Sequence, residues 1–167
     1  CHLEDTIKVF DWVAKHAEQF GMDIDHVFAV GDSAGGHILA LYCAMCTNPE
    51  FATKFEFKPI ENILPKAIAL NCAVLDMDAI KSSSGSNTLA LMKDVLPKGK
   101  MEEYLQLANP IAYVNEKFPP CMIMTCNEDF LKEQPETFMK KLEACNVPHI
   151  YKFYGDENHK LGHVFHL

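Results

Sequence analysis

No apolar run in this 167-residue sequence approaches the roughly 18–20 residues that cross a bilayer, so no membrane span is expected. Positive charge is also scarce: 15 Lys+Arg against 23 Asp+Glu leave a net charge of -8, which disfavours nucleic acid and anionic membrane surfaces as partners. There is no internal repeat, and no low-complexity tract beyond Ser82-Ser83-Ser84-Gly85-Ser86-Asn87. A disulfide pattern is missing too. The seven cysteines are odd in number and lie mostly inside apolar runs such as Cys121-Met122-Ile123-Met124, as expected of reduced core thiols in a cytoplasmic protein. Cys43 and Cys46 have a CxxC spacing, but on an expected buried helix with no second Cys pair or His at ligand distance; they read as core, not as a metal or redox centre.

What is present suits one globular domain. The composition is 49% hydrophobic and 23% charged. Leu3, Ile7, Phe10, Val13 or Ala14, Ala17 and Phe20 recur at helical spacing, Gly21 follows as a stop, and Trp12 and the phenylalanines read as core. Residues 26–30, His-Val-Phe-Ala-Val, lack alternation, as in a strand buried on both faces of a parallel sheet. A helix from Ala34 to Cys46, a loop over 49–65 and a strand over 66–71 are expected next. A long excursion over 76–120 with helical pieces at Thr88–Leu96 and Met101–Leu107 then leads to a strand over 121–126, a helix from Glu133 to Cys145 and a strand over 149–154. That rhythm is an α/β fold with right-handed crossovers.

Between the first strand and its helix stands Gly31-Asp32-Ser33-Ala34-Gly35. Glycines two before and two after a serine permit a tight turn that lifts the hydroxyl above the sheet edge, and the N–H of Ala34 opens the next helix where negative charge is stabilised. A serine hydroxyl reacts only when a histidine takes its proton and a carboxylate orients that histidine. The expected chain order is serine, acid, histidine, each partner just beyond a later strand. Glu128 and Asp129 follow one such strand; His159 and His163 follow the next, and spacing alone does not separate them. His37 reads as a packing or hydrogen-bonding residue, His2, His16, His26 and His149 as surface or strand-flanking residues, and Asp32 as support for the turn.

Gly-Asp-Ser-Ala-Gly-Gly at 31–36, Asn109-Pro110-Ile111, Phe118-Pro119-Pro120, Asp129-Phe130-Leu131 and Leu161-Gly162-His163-Val164-Phe165 together resemble the hormone-sensitive-lipase-type branch of the α/β hydrolases, particularly bacterial carboxylesterases and acetyl esterases. The resemblance implies an α/β-hydrolase fold, cleavage of short-chain esters of small molecules, and no metal or organic cofactor. It selects Ser33 as nucleophile, Asp129 as acid, His163 as base and Ala34 as an oxyanion-hole residue. The His-Gly-Gly loop that completes that hole in the family has no counterpart here, nor do the family's first strands, so the chain reads as the C-terminal portion of a longer catalytic domain. The edge of the strand at 26–30 is then open to a homodimer contact. A peptidase or amidase on the same fold, and a fragment that keeps the sheet without the catalysis, are the alternative readings.

Overall fold

The computed structural model describes residues 2–59, 63–82 and 99–167. Helix α1 (His2–Phe20) ends as its glycine predicts: Gly21 takes φ 63°, and the N–H of Met22 reaches back to the Ala17 carbonyl at 2.9 Å. Its buried face is Leu3, Ile7 and Ala17, with the Phe10 ring stacked on Tyr42 at 4.2 Å. Trp12 is not core. At 100° per residue it lies half a turn round from Leu3 and is 50% exposed, stacked on His16 and tilted against Phe20, itself exposed.

Strand β1 (Phe28–Asp32) starts two residues later than expected. The Asp23 carboxylate accepts from the Asp25 N–H and from the His26 ring, winding 24–26 into a 3-10 turn, while Gly31 and Asp32 pair with Leu70 and Asn71. Helix α2 (Ala34–Thr47) follows. The expected loop after it holds a short helix α3 (Pro49–Ala52), because Asn48 caps the Phe51 N–H and Pro49 sits in the first turn. Phe51 is fully buried and stacks on Tyr113 at 3.7 Å.

Strand β2 (Ala67–Asn71) leads to α4 (Met77–Ser82), which periodicity did not reveal, and α5 (Met101–Leu107) follows as expected. The helix expected over 88–96 lies outside the described residues. Strand β3 (Cys121–Cys126), α6 (Gln134–Ala144) and β4 (His149–Tyr154) complete the chain. Two buried amides fix the start of the excursion: Gln134 ties it to the body by accepting the N–H groups of Leu75 and Asp76, and Asn109, later in the excursion, accepts that of Met77.

The sheet is parallel throughout, in the order β1-β2-β3-β4. Its register divides the side chains. Ile68, Leu70, Cys121 and Ile123 face Leu39, Ala40 and Cys43 of α2 and Phe138 and Leu142 of α6, forming the main core. Phe28, Val30 and Ile150 belong to the other face and are 67%, 68% and 58% exposed, so β1 is not buried on both faces as its apolar run predicts. No described helix is long and apolar enough to cross a membrane.

Candidate active site

The turn from β1 into α2 places Ser33 at φ 50° and ψ -116°, a conformation that costs a non-glycine residue about 1–3 kcal/mol. Packing around it identifies which glycines the turn requires. A Cβ on Gly31 would stand 2.6 Å from the Gly35 carbonyl oxygen, and one on Gly36 2.6 Å from the Ala73 Cβ. A Cβ on Gly35 would meet nothing within 4 Å. The close approach is therefore made by Gly31 and Gly36, not by the symmetric pair Gly31 and Gly35. The Ser33 N–H donates to the Asn71 carbonyl at 2.9 Å, which ties the strained residue to the end of β2.

The Ser33 hydroxyl stands 2.9 Å from His163 Nε2, and His163 Nδ1 lies 2.7 Å from Asp129 Oδ1. A carboxylate only accepts, so Nδ1 carries the ring proton and Nε2 is left to accept from the hydroxyl. The three residues come from positions just beyond β1, β3 and β4, the ends at which parallel sheets present ligands. Asp129 is 1% exposed. Burial pushes its carboxyl up, but hydrogen bonds from Thr125 Oγ1 (2.6 Å), the Leu131 N–H (2.9 Å), His163 and the Cys72 thiol outweigh it and hold the group below the ordinary carboxylate range.

The turn that carries His163 is held from beneath. Asn127 donates to the Asp156 carbonyl and accepts from the Leu161 N–H, the Cys126 thiol donates to the Gly162 carbonyl, and Val164 takes φ 60° beside the histidine. The Phe130 ring, 60% exposed, lies 4.3 Å from the imidazole. His159 and Glu128 are outside this constellation: His159 is exposed in a turn capped by Asp156, and Glu128 faces Lys160 at 3.5 Å. Ala34 is the exposed first residue of α2, where the helix leaves N–H groups without intrahelical acceptors. His37 bonds the Ala108 carbonyl at 2.6 Å, and burial lowers its pKa against that bond.

Sequence reasoning passed over Cys72, Thr125 and His166. His166 Nε2 donates to Asp32 Oδ1 at 2.5 Å, and Asn71 Nδ2 donates to the same oxygen at 3.0 Å, so the residue before Ser33 anchors the segment after His163. Only the position of His166, three residues beyond a candidate base, offered any signal. Cys72, at φ 46° beyond β2, is buried, and that burial pushes its thiol up to about 12.

A family profile described as alpha/beta hydrolase fold matches residues 1–163. The chain is 27% identical over 174 residues to the versiconal hemiacetal acetate esterase of Dothistroma septosporum, with 94% of this chain and 50% of that protein covered. It is 25% identical over 157 residues to the probable carboxylic ester hydrolase LipM of Mycobacterium tuberculosis, covering 90% and 36%. Among solved structures, esterase B from Lactobacillus rhamnosis superposes with a TM-score of 0.82 at 26% identity, over 98% of this chain and 52% of that one. The chain thus spans between about a third and a half of the length of these relatives.

Proposed function

The chain belongs to the alpha/beta hydrolase fold family, and from that premise we propose that it hydrolyses carboxylic esters through an acyl-serine intermediate, within one catalytic domain to which residues 1–167 contribute. The observation that carries the reading is the line Ser33 Oγ, His163 Nε2, His163 Nδ1, Asp129 Oδ1, with both spacings at hydrogen-bond length.

His163 Nε2 takes the hydroxyl proton as Ser33 Oγ adds to the acyl carbonyl. The imidazolium then gives that proton to the leaving alcohol. Water, deprotonated at the same nitrogen, releases the acid and restores Ser33. Asp129 stays ionised throughout, which its hydrogen bonds from Thr125 and Leu131 favour, and it stabilises the imidazolium. The Ala34 N–H and the positive end of α2 face the oxyanion. Each absent oxyanion donor costs about 10²–10³ in turnover, so the His-Gly-Gly loop of the family bears directly on the rate.

Short acyl groups, acetyl above all, are the proposed substrates, in keeping with the family resemblance of the motifs. The test is a p-nitrophenyl ester series from acetate to decanoate beside an acetyl arylamide. A burst with acetate, kcat/KM falling with chain length, and loss of at least about 10³-fold in Ser33→Ala support the proposal. Equal turnover in Ser33→Ala overturns it, and preference for the arylamide points instead to an amidase.

A further inference from the structure

We infer that Cys72, Asp129 and His163 form a capture site for a borderline-soft divalent cation such as Zn²⁺, and that an ion held there switches off the proton relay to Ser33.

The Cys72 sulfur, an Asp129 carboxylate oxygen and a His163 ring nitrogen all lie within 4.8 Å of one another. A tetrahedral zinc ion, with sulfur at about 2.3 Å and nitrogen or oxygen at about 2.0–2.2 Å, sets such donors roughly 3.4–3.6 Å apart. Shifts on the order of 1 Å, smaller than a side-chain rotamer change, bring the three to that spacing. One thiol, one imidazole and one carboxylate select zinc or cobalt over magnesium or calcium, which prefer oxygen alone. The thiol, the carboxylate and the imidazole thus already converge on one point, the first two of them buried. Thr125 Oγ1 and the Leu131 N–H hold that carboxylate from behind, as outer-shell partners of metal ligands do. Cys72 and Asp129 are buried and His163 is partly open, so the ion's way in is past the imidazole, with the fourth position left to water.

In the free site, the ring proton is on Nδ1 and the Nε2 lone pair faces Ser33. A cation on Nδ1 takes the lone pair of that nitrogen, so the ring proton resides on Nε2, pointed at the hydroxyl. The thiol proton leaves to solvent as the sulfur binds; nothing is oxidised or reduced. Nε2 then donates to Ser33 Oγ and cannot accept its proton. Cation binding itself is independent of the ester-hydrolase reading, whereas its inhibitory effect rests on it.

Co²⁺ titration of the 167-residue chain, followed by the thiolate-to-cobalt charge-transfer band in the near ultraviolet, tests the site without any substrate. One equivalent should develop the band, and Zn²⁺ should displace it. Cys72→Ser and Asp129→Asn should each weaken cobalt binding at least about tenfold, with the fold checked by circular dichroism. Cys145→Ser, which removes a partly exposed thiol elsewhere, should leave the band intact. No band in the parent chain, an undiminished band in Cys72→Ser, or loss of the band in Cys145→Ser overturns the site. Zn²⁺ should also slow fluorophosphonate labelling of Ser33, reversibly by EDTA and at least about tenfold less effectively in Cys72→Ser; equal zinc sensitivity of the two overturns the switch. Cobalt binding through Cys72 in a chain that never labels at Ser33 upholds the site and counts against the hydrolase reading alone.

Discussion

His37 shows what burial does to a single titratable group. Its Nε2–H donates to the Ala108 carbonyl, and burial lowers its pKa, so the folded chain favours the neutral ring. As pH falls through the ordinary histidine value near 6.5, the unfolded chain takes up a proton that the folded chain resists. Stability from this residue is therefore fully present above about pH 6.5 and declines as pH falls toward the lowered folded value. Replacing His37 with Gln retains an N–H donor for Ala108 and removes the titration. Urea midpoints at pH 7.5 and 5.5 should separate less in His37→Gln than in the parent; an equal separation contradicts the assignment. At this scale much was legible in the chain, because chemistry restricts which residue types can do a given job: Ser33, Asp129 and His163 all belong to motifs. Cys72 and Thr125 were not, and His166 only through its position, because their parts depend on strand ends meeting in space. Thr125 closes on Asp129 only four residues away, yet nothing in the sequence distinguishes it from any other strand threonine.

Elements obeyed periodicity where one face met a core and departed from it where local hydrogen bonding intervened. Asp23 shortened β1 at its start and Asn48 wound α3 out of an expected loop, both through side-chain acceptors that a hydrophobic pattern does not register. Trp12 reads as core by composition, and helical geometry turns it outward. The β1–α2 junction yields a sharper distinction. Gly35→Ala should leave stability unchanged or raise it by up to about 1 kcal/mol, since alanine is the better helix former and its Cβ meets nothing. Gly36→Ala should lower stability by about 1–3 kcal/mol, because its Cβ would overlap Ala73 and the Gly31 carbonyl. Thermal unfolding of the two variants decides it, and equal costs would refute the asymmetry.

At the largest scale, among the described residues, the sheet has one face covered by helices and one face that leaves Phe28, Val30 and Ile150 exposed. The parallel sheet followed from the alternation of strands and helices, but exposure did not, because a run such as Val27-Phe28-Ala29-Val30 is apolar on both sides whether or not both are covered in these residues. Phe28, Val30 and Ile150 make the open face apolar. In the 167-residue chain, Val30→Thr should reduce binding of the dye ANS while changing unfolding free energy by no more than about 0.5 kcal/mol, as surface substitutions do. A large loss of stability would mean that Val30 is packed in solution.

The hydrogen bond between Ser33 and His163 joins residues 130 positions apart. On a ribosome adding about 5–20 residues per second, the hydroxyl is synthesised roughly 6–26 s before the imidazole that stands beside it. Throughout that interval Ser33 has no His163 to pair with, so the line of hydrogen bonds from Ser33 through His163 to Asp129 closes only after β4 and the turn beyond it have been synthesised.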